Sequence, residues 1–429
     1  MNDSLITHRQ LSQLLRSYHS YSLKCSGNSM QPLLKPGDML FLRKVPFHTI
    51  KENDILAIKK DAKLLIHRVI YKKQKYVITK GDNNTYNDGK TYERNIYAKV
   101  QFVTRNGKKI TPELVYDKQS KQYYFEILKF KRELERRHIR HVFLKGLPLH
   151  MFYEQKFPRR IYEDCDILIG DESFELAKKI LVRMGYSKID NSFFPLHTKL
   201  LGKEVECAYG KVVKNVLVVF DLHRKVVFLV VHLSKLDRLF PDRIVDEMTE
   251  RFLSSRVKKI VHGEQFFFLS PEIYIVYLLL HIFHHNFTGA FRYLFLQRVW
   301  KKESTRLKIR KMIDVINQYS VNSFIYPALY LMKKYYLADN TSTLAEAIKP
   351  VGYRLVYTKS VLFKQNIFDE GKRIKAGIIR FLNVLILSPT NIFQKMRSFI
   401  HIQLVLIAVW LIYKRLKSMS FRFLSILNA

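Results

Sequence analysis

The sequence predicts a multidomain chain. A mostly β domain occupies about residues 1–115, an α/β (α+β) domain about 120–345, and a basic helical extension 346–429. Three observations carry that prediction. Up to about residue 115, short apolar runs alternate with turn formers, and beyond it apolar residues recur at helical spacing. The length of 429 residues, at about 150 per domain, leaves room for two or three cores. After Ile348 only Asp369 and Glu370 are acidic, against 14 Lys and Arg.

Taken in order, residues 5–15 have the spacing of a short amphipathic helix. The runs MLFL, DILAI, LLIHRVI, KYVITK and IYAKVQFV then read as strands, closed by turns at PGD, GDNN, NDG and NGK. FEILKFKRELERR predicts a helix, and its RELERRHIRH end a solvated, basic face. RIYEDCDILIG ends in a strand, SFELAKKILVRMGY is a helix stopping near Gly185, and KNVLVVFDLHRK is a strand. PEIYIVYLLLHIFHH is a strongly apolar helix. In the extension, residues 398–413 form the run SFIHIQLVLIAVWLIY between Arg397 and Lys414. As a helix it reaches roughly 24 Å, short of the about 20 residues a span usually needs. Trp410 and Tyr413 lie at its basic edge, as interface anchors do. A short span, an interfacial helix and a buried helix all fit it.

Composition excludes several classes. Hydrophobic residues at 48% and charged residues at 26% permit ordinary cores and exclude wholesale disorder, while Gly 15 and Pro 12 exclude collagen-like or linker-dominated chains. Cys25, Cys165 and Cys207 form no CxxC pair, which argues against a disulfide scaffold or zinc ribbon and fits a reducing compartment. The opening residues have no apolar core of a signal sequence, so neither a secretory signal nor an N-terminal anchor is expected. A net charge of +37 calls for an anionic partner: nucleic acid, nucleotide phosphates or an anionic membrane surface. No recognised nucleic-acid-binding motif is present, so nucleic acid is not specifically indicated.

The first chemical constellation centres on Ser29, between Gly27 and Pro32 on a constrained turn just before a strand. A serine hydroxyl barely ionises near neutral pH and needs a base. His67, mid-strand in LLIHRVI, is the candidate, and Asp82 and Asp88 follow in a turn-rich loop where a carboxylate would orient it. The blocks GNSMQPLLKPGDMLFL, ENDILAI, HRVI and TKGDNN with the following ND together resemble signal peptidase I. The resemblance is to the archaeal and endoplasmic-reticulum branch, where histidine replaces the bacterial lysine base, and covers about residues 22–110. It implies a partly barrel-like β domain with a shallow groove for an extended peptide carrying small side chains near the cut. It makes Ser29 the nucleophile, His67 the general base and Asp82 and Asp88 the acidic residues. Met30 and Pro32 would shape the turn, and the Ser29 N–H would serve the oxyanion. Family members carry an N-terminal membrane anchor that is not read here. The expected location is therefore the cytoplasm or the cytoplasmic face of a membrane, and the substrate a leader-bearing peptide or partner protein.

The second constellation is acidic. Asp164 and Asp166 alternate in EDCDILI and share a strand face, and Asp221 opens DLHRK after VLVVF. Three carboxylates at strand ends can hold Mg2+ for phosphoryl or nucleotidyl transfer. Lys145 and Gly146 sit at a strand-to-helix turn where backbone N–H groups would meet phosphate. The set LKG, LHMFYEQKFPRRIYEDCDILI, FDLH, LSPE and LLLH resembles the uncharacterised-type nucleotidyltransferases of the DNA polymerase-beta-like superfamily over about 125–300. It implies a nucleoside triphosphate substrate, Asp164, Asp166 and Asp221 as metal ligands, Lys145 and Gly146 in the nucleotide-binding turn, and Arg160 as a phosphate contact. Lys145-Gly146-Leu147 stands where the wider superfamily has a Gly-Ser pair. His281, His284 and His285, at i, i+3 and i+4, read as core-closing residues rather than metal ligands.

The combined expectation is a signal-peptidase-like serine endopeptidase fused to a metal-dependent nucleotidyltransferase-like domain, cleaving a leader or signal-type peptide. The alternatives are a nucleotidyltransferase with a non-catalytic peptide-binding domain, and a membrane-surface adaptor.

Overall fold

The structure, a computed structural model, describes residues 20–395 except 32, 62, 85–86, 155–161, 163, 190–203, 215, 227–238, 337–340, 369–372 and 392. The helix expected at 5–15 lies outside the described residues, as do Pro32 and Arg160.

The first domain is an antiparallel sheet. Its strands are β1 (Ser20–Lys24), β2 (Met39–Arg43), β3 (Ile55–Lys60), β4 (Lys63–Lys72), β5 (Tyr76–Lys80), β6 (Lys90–Tyr92), β7 (Ile96–Arg105) and β8 (Lys108–Ile110). They run in the order β1-β2-β7-β3-β4-β5-β6, with β8 paired to β7. Register shifts at Phe41/Leu42, Ala57/Ile58 and Val69/Tyr71 bend the sheet, as bulges do. The bending wraps it around a core of Met30, Leu33, Leu34, Leu40, Ile55 and Val100. The turn carrying Ser29 is thereby anchored, because Met30, Leu33 and Leu34 are buried beneath it.

The second sheet is mixed. Its strands are β9 (His141–Phe143), β10 (Cys165–Ile169), β11 (Ser187–Ile189), β12 (Glu206–Val213), β13 (Val216–His223), β14 (Arg256–Val261) and β15 (Glu264–Leu269). The order is β11-β12-β13-β10-β9-β15-β14, with β10 parallel to β13 and β15 parallel to β9. Every residue of CDILI in β10 is buried, which is how an apolar run covered on both faces behaves.

Helices α1 (Pro112–Arg136), α2 (Leu147–Glu154), α3 (Phe174–Arg183) and α4 (Asp242–Ser254) belong to this layer. The α3 helix ends at Gly185, whose φ of 83° closes the helix as glycine readily does. A helical layer follows: α5 (Pro271–His284), α6 (Ala290–Glu303), α7 (Ile309–Gln318), α8 (Asn322–Tyr336), α9 (Ser342–Ala347), α10 (Tyr353–Ser360) and α11 (Arg373–Leu387). Pro271 at the first turn of α5 starts that helix where a missing N–H costs nothing. Its next twelve residues, Glu272 to Phe283, are all buried. The multidomain layout expected from the sequence, a β domain followed by a mixed α/β region with many helices, therefore holds.

The two domains share contacts. Tyr116 of α1 is buried in the first core, whereas Tyr123 and Ile127 of the same helix join the second. Tyr71 of β4 packs on Phe368, with ring centroids 4.5 Å apart, and Asn87 Nδ2 donates to the Phe368 carbonyl.

One expectation is corrected. No helix among the described residues is long and apolar enough to cross a membrane. The run at 398–413 lies outside those residues and is shorter than the roughly 30 Å hydrocarbon layer. The membrane segment, and the location at a membrane face drawn from it, are not carried forward.

Candidate active sites

In the first domain, β4 places His67 in mid-sheet opposite Leu56 of β3, with only 2% of the residue exposed. Its two ring nitrogens face different partners. Nδ1 lies 2.7 Å from Asp88 Oδ2 and Nε2 2.9 Å from Ser29 Oγ. A carboxylate only accepts, so Nδ1 carries the proton; the neutral ring then presents the Nε2 lone pair to the Ser29 hydroxyl. Asp88 Oδ2 also accepts from Thr79 Oγ1 at 2.7 Å, and the Asp88 N–H donates to the Thr79 carbonyl at 2.8 Å. The carboxylate is thus held in place against β5 before it meets the imidazole.

Asp82, the other expected acid, is turned elsewhere. Arg68 grips it in a two-pronged pair at 2.7 Å for each contact, and Tyr116 Oη donates to Oδ2 at 2.5 Å. Arg68 Nη2 meets the same tyrosine oxygen. Burial pushes the Asp82 carboxyl above its ordinary range, against the pull of the Arg68 charge. The loop bearing Asp82 also clamps the serine turn. Asn83 N–H donates to the Ser29 carbonyl at 2.8 Å, and a Cβ on Gly81 would stand 2.7 Å from that same oxygen. Only glycine permits this approach.

The second site forms where β10 and β13 run parallel. Their register sets Asp166 directly beside Asp221. His223, two residues after Asp221 and on the same strand face, donates from Nε2 to Asp166 Oδ1 at 2.9 Å. Lys145 Nζ lies 2.8 Å from the same oxygen. Asp166, Asp221 and His223 all offer ligand atoms within 4.8 Å of one another. Asp164 lies just before β10 and is outside that close set, although its charge reaches Lys145.

Lys145 and Gly146 form the turn between β9 and α2. Gly146 has φ 101°, and a Cβ there would meet Cys165 Cα at 3.2 Å and Asp164 O at 3.3 Å. The turn therefore lies directly on the backbone that carries the acids.

Charges in this cluster are strongly coupled. Burial pushes the Asp166 carboxyl up, but Lys145 and the His223 hydrogen bond outweigh it and hold it at about 2. For Asp221, burial together with the Glu206 and Asp166 charges wins over His223 and raises it to about 8. Burial opposes the charge on His223, yet Asp221 and Asp166 raise it to about 9. Two buried carboxylate atoms, Asp166 Oδ2 and Asp221 Oδ1, have no hydrogen-bond partner among the described residues. Such atoms normally find one, and a hard divalent cation with oxygen ligands meets that need. The residues present fit a Mg2+ ion held by Asp166 and Asp221, with His223 and Lys145 orienting Asp166.

The sequence reading did not include His223, Thr79, Arg68 or Tyr116 among its site residues. The first two had a readable signal, since DLH repeats at the strand period and Thr79 opens the TKGDNN block. His281, read as closing a core, is buried in α5 and also lies with Nε2 3.0 Å from Lys145 Nζ.

Residues 5–103 match the family model described as peptidase S24-like, a broader description than the signal-peptidase motifs suggested. Residues 113–336, just over half of the chain, match the model described as uncharacterised nucleotidyltransferase. No curated protein and no solved structure matches the chain. With Lys145, Asp164, Asp166, Asp221 and His223 all inside the longer match, the chain belongs to the uncharacterised nucleotidyltransferase family and carries an S24-like peptidase domain on the N-terminal side of it.

Proposed function

We propose that the chain is a two-site enzyme. A signal-peptidase-type serine endopeptidase at 1–115 cuts a leader or signal-type peptide, and a Mg2+-dependent nucleotidyltransferase at 120–345 uses a nucleoside triphosphate. The observation that carries the first half is the unbroken line Ser29–His67–Asp88, at 2.9 and 2.7 Å. Histidine rather than lysine as the partner of Ser29 favours the signal-peptidase branch.

In the proposed reaction Ser29 Oγ attacks the scissile carbonyl while its proton passes to His67 Nε2. The imidazolium is stabilised by Asp88, and the Ser29 N–H faces the oxyanion. Collapse breaks the C–N bond, and His67 returns the proton to the departing amine. Water, deprotonated by His67, then attacks the Ser29 ester; the C–O bond to Ser29 breaks, and His67 returns the proton to Ser29 Oγ. Thr79 and the 81–84 turn act by positioning.

In the second half, Asp166 and Asp221 hold the metal, which supplies charge neutralisation for the transferring phosphoryl group. His223 and Lys145 keep Asp166 ionised and aimed, and Gly146 keeps the turn tight against the acids. Asp164 and Arg160 remain candidates for a further ligand and a phosphate contact.

The test is to incubate wild-type and Ser29→Ala protein with an unbiased peptide library and read new termini by mass spectrometry. Cuts made by wild type alone support the peptidase and define its substrate. Identical products from both would reduce the first domain to peptide binding.

A further inference from the structure

The loop that carries the acid of the serine site is held from two directions. Thr79 meets both the Asp88 carboxylate and the Asp88 N–H. Asn87, the preceding residue, offers an acceptor and a donor on one short stem. Its Oδ1 accepts the Gly89 N–H at 2.8 Å, closing the backbone around Asp88 in a turn with φ 73° at Gly89, a value glycine adopts readily. Its Nδ2 reaches out of the loop and donates to the Phe368 carbonyl, 281 positions further along the chain.

That carbonyl belongs to a strap, 365–368, fastened to the helical layer. Gln365 Nε2 donates to the Asn286 carbonyl at 2.9 Å, just beyond α5, and the Gln365 carbonyl accepts from Tyr335 Oη of α8 at 3.3 Å. The Ile367 carbonyl accepts the Gly289 N–H at 2.8 Å, just before α6. Asn366 Oδ1 accepts the Phe368 N–H at 3.2 Å. Ile367 and Phe368 are buried, and the Phe368 ring lies 4.5 Å from Tyr71 and 5.7 Å from Tyr335, centroid to centroid. Tyr71 stands four residues after His67 on β4. The strap therefore touches both elements that the His67–Asp88 bond joins. Its ring packs on the strand bearing the base, and its carbonyl takes the loop bearing the acid. Residue 368 lies beyond both family matches, 5–103 and 113–336.

We propose that Asn87 is a positioning residue of the serine site, and that the helical layer completes that site by holding Asn87 through the Phe368 carbonyl. This rests on the peptidase reading above. A triad works only within a narrow geometry, and a misplacement of about 1 Å can cost about 100-fold in rate. Groups that aim a catalytic side chain must themselves be locked by packing and hydrogen bonds. Docking of the second domain supplies that lock for the carboxylate that orients His67.

The experiment reacts full-length wild type, Asn87→Ala, Phe368→Ala and Phe368→Leu with a fluorophosphonate probe. Ser29 Oγ bonds to phosphorus, fluoride leaves and His67 takes the proton, so the rate reads the site without its natural peptide. Labelling lost in Ser29→Ala marks the site. Asn87→Ala should lower the maximal labelling rate about tenfold, the worth of roughly one hydrogen bond, with the half-saturating probe concentration within about twofold. Phe368→Ala should fall by the same order, and Phe368→Leu, which refills most of the contact, should recover most of it. Proton NMR of the His67 Nδ1–H, identified by its absence in His67→Gln, should show that line broadened in Asn87→Ala. If Phe368→Ala fails to fold, Asn87→Ala decides, since it alters a half-buried loop side chain. An Asn87→Ala rate within about twofold of wild type, in protein that melts like it, overturns the assignment and leaves the peptidase reading standing. So does a lower rate with the NMR line unchanged, or a loss confined to probe affinity. If wild type neither cuts the peptide library nor takes the probe, both fall together.

Discussion

Asp88 and Asp82 lie in one loop, and replacing each by Asn should separate chemistry from scaffold. At Asp88 the carboxylate accepts from His67 Nδ1 and Thr79 Oγ1, both at 2.7 Å. An Asn amide that keeps the Thr79 bond through its oxygen turns its NH2 toward His67. The imidazole must then accept at Nδ1 and carry its proton on Nε2, where it can no longer take the Ser29 proton. The corresponding exchange in a serine-protease triad lowers kcat about 10^4-fold, or about 5.4 kcal/mol at 1.36 per decade. Peptide turnover, followed with a substrate taken from the library cuts, should fall by that order with KM little changed. Asp82→Asn should behave differently. It breaks a pair in which Arg68 and Asp82 side chains are only 9% and 7% exposed, a loss of about 3–5 kcal/mol in stability. In protein that remains folded, kcat should stay within about tenfold of wild type, because no Asp82 atom bonds His67 among the described contacts. Comparable kcat losses in the two variants, or an Asp88→Asn enzyme within tenfold of wild type, would refute the orientation argument.

Three further outcomes are expected. His223→Ala should weaken Mn2+ binding, followed by electron paramagnetic resonance, by about 10–100-fold, the usual effect of losing a group that orients a ligand; Asp221→Asn should abolish it, and equal Mn2+ affinity in all three proteins would remove the metal assignment. Asp38→Asn should cost roughly 2 kcal/mol, because its carboxylate accepts from Arg105 at 2.7 and 2.6 Å and from the Lys35 N–H at 2.8 Å. Burial raises the Asp38 carboxyl, but the Arg105 hydrogen bonds outweigh it and the net shift is downward from 3.8. That contribution is therefore present above the unfolded value near 3.8 and lost as pH falls through the lower folded value. The gap in melting temperature between wild type and variant should close in that acid window, and a gap independent of pH would contradict this. Gly146→Ala should lower stability by about 1–3 kcal/mol from its positive φ, and unchanged melting would show that the turn relaxes freely.

Much of the fold was legible because its signals are local. Alternating apolar residues in LLIHRVIYKK and turn residues on either side suffice for β4, and Pro271 with the unbroken apolar run from Ile273 to Leu280 suffices for α5. The N-terminal site was legible in part for the same reason, since Ser29, His67 and Asp88 each lie in a short block with its own turn or strand pattern. Which of two loop acids faces His67 was not legible. Asp82 and Asp88 have equivalent chemistry and neighbouring positions, and only the pairing of β5 with β4 and the Thr79 contact aims one of them at the imidazole. Arg68 is adjacent to His67 in sequence, yet a strand sends successive side chains to opposite faces. That alternation is why it serves Asp82 and Tyr116.

The acidic site shows the same division more sharply. Strand patterning by itself determined that an acidic pair opens one apolar strand and a third acid follows the apolar run of another, and that a Lys-Gly turn precedes them. The tertiary structure alone decided which groups converge: Asp166 with Asp221 through a parallel register, His223 onto Asp166 across 57 positions, and His281 onto Lys145 across 136. The physical reason is range. Propensity, turn chemistry and periodicity act over a few residues and are written in the local sequence. Convergence of charged groups depends on strand order and helix packing, which are set by the burial of the whole core.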